Sequence, residues 1–179
     1  TIFLLLIAFA ISKNLRELAI DPIYQAGRTQ IYAKQNEYRT KHGVQVFTVD
    51  AALENRAQTY AETLASTGKF AHSDCMFNGS RVGENLYLKM SSGTPSFTGD
   101  DAAEAWYKEI ENYDFSNPGY KSGVGHFTQV VWKSSTKVGC GAAKGLYNGW
   151  NGLFIVCNYS PAGNVVNPGY FEANVLPPQ

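Results

Sequence analysis

The chain predicts an α+β fold. Three observations carry this: helix-patterned segments come first, strand-patterned segments come later, and the last two strands face each other across a tight turn. Residues 30–42 read as a helix, with Ile31, Gln35, Tyr38 and His42 along one stripe. Asp50 then stands where a capping side chain is needed for a second helix over residues 51–67, which Gly68 ends. Its apolar stripe is Leu53, Ala57, Tyr60, Ala61 and Leu64. Residues 73–98 are rich in glycine and serine and read mostly as loop, with a short strand over residues 85–89. A third helix spans residues 100–112 and turns Ala103, Trp106, Tyr107, Ile110 and Tyr113 inward. From His126 to Trp132 the residues alternate, with His126, Thr128, Val130 and Trp132 on one face of a predicted strand. Two further strands are expected over residues 138–143 and 153–158, and Pro161, Pro168 and Pro177 punctuate an extended tail.

The turn between the last two strands sets a register. Asn148-Gly149 has the composition of a type I′ hairpin, whose two central residues both need positive φ. Taking that pair as the loop puts Tyr147 opposite Trp150, and counting outward puts Cys140 opposite Cys157. The alternation of pair types then makes the two cysteines a non-hydrogen-bonded pair, with a Cα separation of about 4.5 Å that a disulfide accepts. Closing a loop of about 18 residues contributes roughly 3 kcal/mol in the chain-entropy model. The competing turn, Asn151-Gly152, destroys this alignment. Cys75 is left over, either as a free thiol or as a partner for another chain.

Composition bounds the rest. With 179 residues, 44% of them hydrophobic and 17% charged, one globular domain is expected and disorder is not. Fifteen basic residues balance fifteen acidic ones and no basic run occurs, which argues against a nucleic-acid partner. The apolar run from Ile2 to Ile11 is too short for a stable membrane span. It fits the apolar segment of a secretory signal, with Ala10 and Ser12 as the small residues before a cleavage point. The expected division is a leader remnant over residues 1–12, an extension over 13–28 and a single domain over 29–179, in a secreted, extracellular protein.

Two segments go beyond composition. The string Gly125-His126-Phe127-Thr128-Gln129-Val130-Val131-Trp132, followed downstream by the string from Phe154 to Val165, resembles the two signature motifs of the CAP superfamily (cysteine-rich secretory proteins, antigen 5 and pathogenesis-related 1 proteins). His72-Ser73, Gly83-Glu84-Asn85-Leu86 and Trp106-Tyr107-Lys108-Glu109-Ile110 are similar to other blocks of the family, in family order. The stretch from Tyr113 to Gly119 and the tail from Pro161 resemble the Golgi-associated plant pathogenesis-related branch. The resemblance implies a three-layer α-β-α sandwich around a mostly antiparallel sheet.

It also implies a site. In the family the motif positions occupied here by His72, Glu84, Glu109 and His126 converge in one cleft. Glu109 lies three residues after Trp106 and four before Tyr113, so it borders the apolar stripe of its helix. Two neutral imidazoles near carboxylates suit a divalent cation, Zn²⁺ best among them, with the glutamates orienting the rings. The expected function is binding rather than catalysis, so no catalytic residue is assigned. The alternative is a metal-dependent peptidase or esterase with Glu84 or Glu109 as general base. Against it, the chain has neither a His-Glu-x-x-His helix nor a nucleophile motif. The family resemblance adds a sterol or fatty acid and an extracellular protein receptor as partner classes. Met76, Phe77, Tyr87, Leu88, Met90 and Phe97 are the candidates for a lipid-binding surface. Asn78-Gly79-Ser80 is an N-glycosylation sequon in a loop, and Asn158-Tyr159-Ser160 is a second one on a strand.

Overall fold

The computed structural model describes residues 22–179, so the predicted leader and the extension up to residue 21 lie outside the described residues. Among the described residues the helices are α1 (Pro22–Lys41), α2 (Ala51–Thr67), α3 (Gly99–Lys108), α4 (Gly125–Val131) and α5 (Tyr170–Asn174). A 3-10 turn, Glu109–Asn112, continues α3. The strands are β1 (Thr48–Val49), β2 (Met76–Phe77), β3 (Ser80–Arg81), β4 (Gly83–Ser91), β5 (Lys137–Tyr147) and β6 (Trp150–Ser160). β2 and β3 form a small separate hairpin, and the main sheet has the order β1-β5-β6-β4. Only its β1–β5 pair is parallel.

Side chains alternate along β6 and build two cores. Leu153, Ile155, Cys157 and Tyr159 face a core shared with α1, α3 and α4, whereas Phe154 and Val156 face the core under α2. The sheet is thus covered on both faces, as an α-β-α sandwich. The close fit of α2 has a sequence cause. On its side of β5 stand Gly139, Gly141 and Gly145, and a Cβ on Gly141 would lie 2.3 Å from the Gln58 backbone. Beyond β1, side chains take over the open edge of β5. Gln58 receives the Ala142 N–H at 3.1 Å and donates to the Ala142 carbonyl at 2.9 Å, while the Tyr32 hydroxyl accepts from Cys140 N at 2.8 Å.

Asn148 and Gly149 have φ of 49° and 83° and form the predicted hairpin, with Tyr147 opposite Trp150 and Cys140 opposite Cys157. The two cysteines are bridged at a Cα separation of 4.1 Å, and Cys75 is free and half-buried. Asp50 caps α2 through Ala52 N and Leu53 N, and Gly68 ends it at φ 61°. Ile31, Gln35, Tyr38 and His42 are all buried, as their shared stripe requires. α1 starts earlier than residue 30, at Pro22, a residue favoured in the first helical turn. Gly27 does not interrupt it, because the Phe97 ring packs where a Cβ would stand.

One predicted element is of the wrong type. Residues 126–132, expected as a strand, lie mostly in helix α4. Phe127, Thr128, Gln129, Val130 and Val131 are all buried, so the alternation there carries no facing information. Distant groups stabilise the helix instead. The Glu109 carboxylate accepts from His126 N at 2.8 Å and Phe127 N at 3.2 Å, which is the work of a capping side chain at the N-terminus. At the other end the buried Arg39 guanidinium donates to the carbonyls of Val130 and Trp132, each at 2.9 Å. A negative group at the first turn and a positive one at the last both favour the helix dipole. Neither is adjacent in sequence to the segment they fold.

Candidate functional site

The four predicted site residues fall into two histidine–glutamate pairs. Glu84 is the second residue of β4, and His72 stands in the loop after α2. Glu84 Oε1 lies 2.9 Å from His72 Nδ1 and accepts the Ser73 N–H at 2.9 Å; its Oε2 accepts the Ser73 hydroxyl at 2.6 Å. Arg56 from α2 reaches the same Oε2 at 3.4 Å and fixes Asn158 Oδ1 at 2.8 Å. In the second pair Glu109 Oε1 lies 2.7 Å from His126 Nδ1. The i,i+3 spacing puts Trp106 on the same side of the helix, and its ring stacks on that of His126 at 6.5 Å.

The pairs are connected. Asn85, the neighbour of Glu84, donates to the His126 carbonyl at 3.1 Å. Asn164 donates to the Gly125 carbonyl at 2.8 Å and accepts the Thr128 hydroxyl at 2.6 Å. Asn164 and Gln129 also line a cavity of about 640 Å³ together with His72 and Glu84. His126 and Glu109 are not among its lining residues. Among the described residues, no three His, Cys, Asp or Glu side chains form a group able to hold a metal by themselves.

The electrostatics follow from the contacts. Burial pushes the Glu84 carboxyl up, but hydrogen bonds from His72 and from the Ser73 side chain and backbone outweigh it, and the net value falls to about 2. Burial likewise opposes ionisation of Glu109, and the His126 ring with the amides of Phe127 and His126 reverses that to a lowered value. Both carboxylates are therefore ionised at neutral pH and can only accept, so each imidazole donates from Nδ1, and the neutral form of each ring carries its lone pair on Nε2. That is the donor set that nitrogen-preferring cations use.

The six residues expected to form a lipid surface are dispersed. Phe97 is buried against α1, Tyr87 packs into the α1 core, Leu88 packs on the opposite side of β4, and Met76 and Met90 are exposed. Sequence reasoning missed Ser73, Arg56, Asn85 and Asn158. Arg56 had one usable signal: it lies three residues after Leu53 and four before Tyr60, on the border of the α2 stripe.

The family model described as Cysteine-rich secretory protein family matches residues 32–159, a span that includes both pairs. The chain is 45% identical over 150 residues to human Golgi-associated plant pathogenesis-related protein 1, covering 84% of this chain and 92% of that one. It is 38% identical over 157 residues to Secreted protein RBT4 of Candida albicans, where it spans 84% of this chain but 40% of the fungal protein. The solved structure of BmVAL-1 superposes with a TM-score of 0.66 at 26% identity, covering 86% of this chain and 84% of that one. On the extent of the family match and the identity to the human relative, the chain belongs to the cysteine-rich secretory protein, or CAP, family.

Proposed function

We propose that the protein is a secreted binding protein that holds one divalent cation, preferentially Zn²⁺, between His72 and His126, and that it acts without turnover. The observation that carries this reading is the pairing of each imidazole Nδ1 with an ionised carboxylate, which presents Nε2 as a ready metal donor. With two protein nitrogens and, among the described residues, no third ionisable ligand grouped with them, water completes the coordination sphere. The carboxylates orient the rings and do not themselves ligate.

The same contacts argue against a hydrolase. An efficient general base has a pKa near the working pH, and Glu84 lies at about 2 with its oxygens already engaged by His72 and Ser73. Secretion is supported by a secreted fungal relative and by a cysteine pair bridged across a hairpin. No helix among the described residues is long and apolar enough to cross a membrane. A sterol or fatty acid is the second ligand class. Its support is the exposed apolar end of the sheet beyond α2, where Phe70, Met90 and Trp150 meet solvent.

Calorimetric titration tests the cation reading. One Zn²⁺ should bind folded wild type at pH 7.5 and more weakly as pH falls, because protons compete for the same nitrogens. His72→Ala and His126→Ala should each remove most of the affinity, and the double variant should lose little more. Unchanged binding in the double variant, or none in wild type, contradicts the proposal.

A further inference from the structure

We infer that Asn78 carries an N-linked glycan and that the groove between the β2–β3 hairpin and α2 seats its first sugar. The inference rests on the proposed passage through a secretory compartment. Asn78 and Gly79 form the two-residue tip of the hairpin, with φ of 49° and 77°, and Phe77 pairs with Ser80 across it. Asn78, Gly79 and Ser80 are all exposed, and a Cβ on Gly79 would meet nothing within 4 Å, so the space around the tip is open. The other sequon is closed. Asn158 is fully buried, its Oδ1 accepts from Arg56 at 2.8 Å, and its Nδ2 donates to the Gly83 carbonyl at 3.2 Å. A sugar on that nitrogen is incompatible with β6 beside β4.

Asn78 also borders a groove of about 860 Å³. Tyr60, Met76 and Phe77 give it apolar walls, and Asn55 and Thr63 supply polar groups along α2. Sugars present apolar C–H faces alongside hydroxyl and amide groups, and this lining answers both. The occupant is tethered at the rim, so a weak contact suffices.

The modification joins Asn78 Nδ2 to the anomeric carbon of N-acetylglucosamine. The bond broken is the one from that carbon to the pyrophosphate of a lipid-linked oligosaccharide donor. The lipid pyrophosphate leaves with the electron pair, and one Nδ2 proton passes to solvent.

The test is to secrete the full chain from eukaryotic cells behind a supplied export signal and map its glycopeptides. Wild type should carry one glycan, at Asn78. Ser80→Ala should abolish it and Ser160→Ala should leave it. In the glycoform trimmed to one sugar, nuclear Overhauser contacts should join the N-acetyl methyl to the Tyr60 or Phe77 ring. Asn78 empty on exported protein, or a glycan on Asn158, overturns the site, and a first sugar without such contacts overturns the seating. Failure of the chain's own leader to export it bears on the secretory reading alone.

Discussion

The two histidine–glutamate pairs share one chemistry and sit in different settings. The Glu84 side chain is wholly buried, and its bonds run to a loop, a helix and a strand: His72 and Ser73, Arg56, and Asn158 at 3.5 Å. The Glu109 side chain is 20% exposed, and its bonds among the described residues go to the first turn of α4. The imidazoles differ in the opposite sense, since His72 is 57% exposed and His126 36%. In each pair the carboxylate orients a ring and also does a structural task. Glu84 ties the loop after α2 to the sheet, and Glu109 caps a helix. The two glutamates should therefore be equivalent toward a cation and unequal toward stability.

The largest difference is expected at Glu84. Glu84→Ala takes a wholly buried acceptor away from the Ser73 N–H, the Ser73 hydroxyl and Arg56, and should cost about 3–5 kcal/mol in denaturant unfolding. Its ionisation adds a pH signature. The folded carboxyl titrates at about 2 against an ordinary 4.5, so as pH falls the unfolded chain takes up its proton first. The contribution is fully present above about 4.5 and lost as pH falls to about 2. At 1.36 kcal/mol per unit it amounts to about 3 kcal/mol. Glu84→Gln should lack this part of the acid transition; an unchanged acid profile breaks the asymmetry.

Glu109→Ala should cost less, about 1–2 kcal/mol, the range for losing a helix cap. The loss should be local. Hydrogen exchange should quicken at the amides of His126 and Phe127 while the β5–β6 ladder keeps its protection. Equal losses at Glu109 and Glu84 would show that capping matters as much as loop anchoring. The smallest effects belong to the rings. His126→Ala, which removes a contact with Trp106, should cost about 1 kcal/mol, and His72→Ala within about 0.5 kcal/mol. A reversed order in thermal unfolding would place the structural load on the exposed loop.

What the sequence made legible was local. The register of β5 and β6 follows from Asn148-Gly149, and with it the Cys140–Cys157 bridge, because turn geometry propagates two residues at a time along a ladder. The bounds of α2 are readable from Asp50 and Gly68. The type of α4 was not, since Arg39 and Glu109 reach it from far along the chain. For the same reason Arg56 and Asn158 were invisible as partners around Glu84. The family motifs pointed to all four site residues, whereas their division into two pairs is a property of the fold.

The most direct test of the central claim is a two-dimensional spectrum of ¹⁵N-labelled imidazoles, recorded at neutral pH during a Zn²⁺ titration. Before metal, His72 and His126 should both show the tautomer protonated on Nδ1. During the titration the Nε2 signals of both should shift together and saturate at one equivalent, with Nδ1 of each still protonated. Rings protonated on Nε2, a shift in only one histidine, or two separate binding events would contradict a single cation held by two carboxylate-oriented imidazoles.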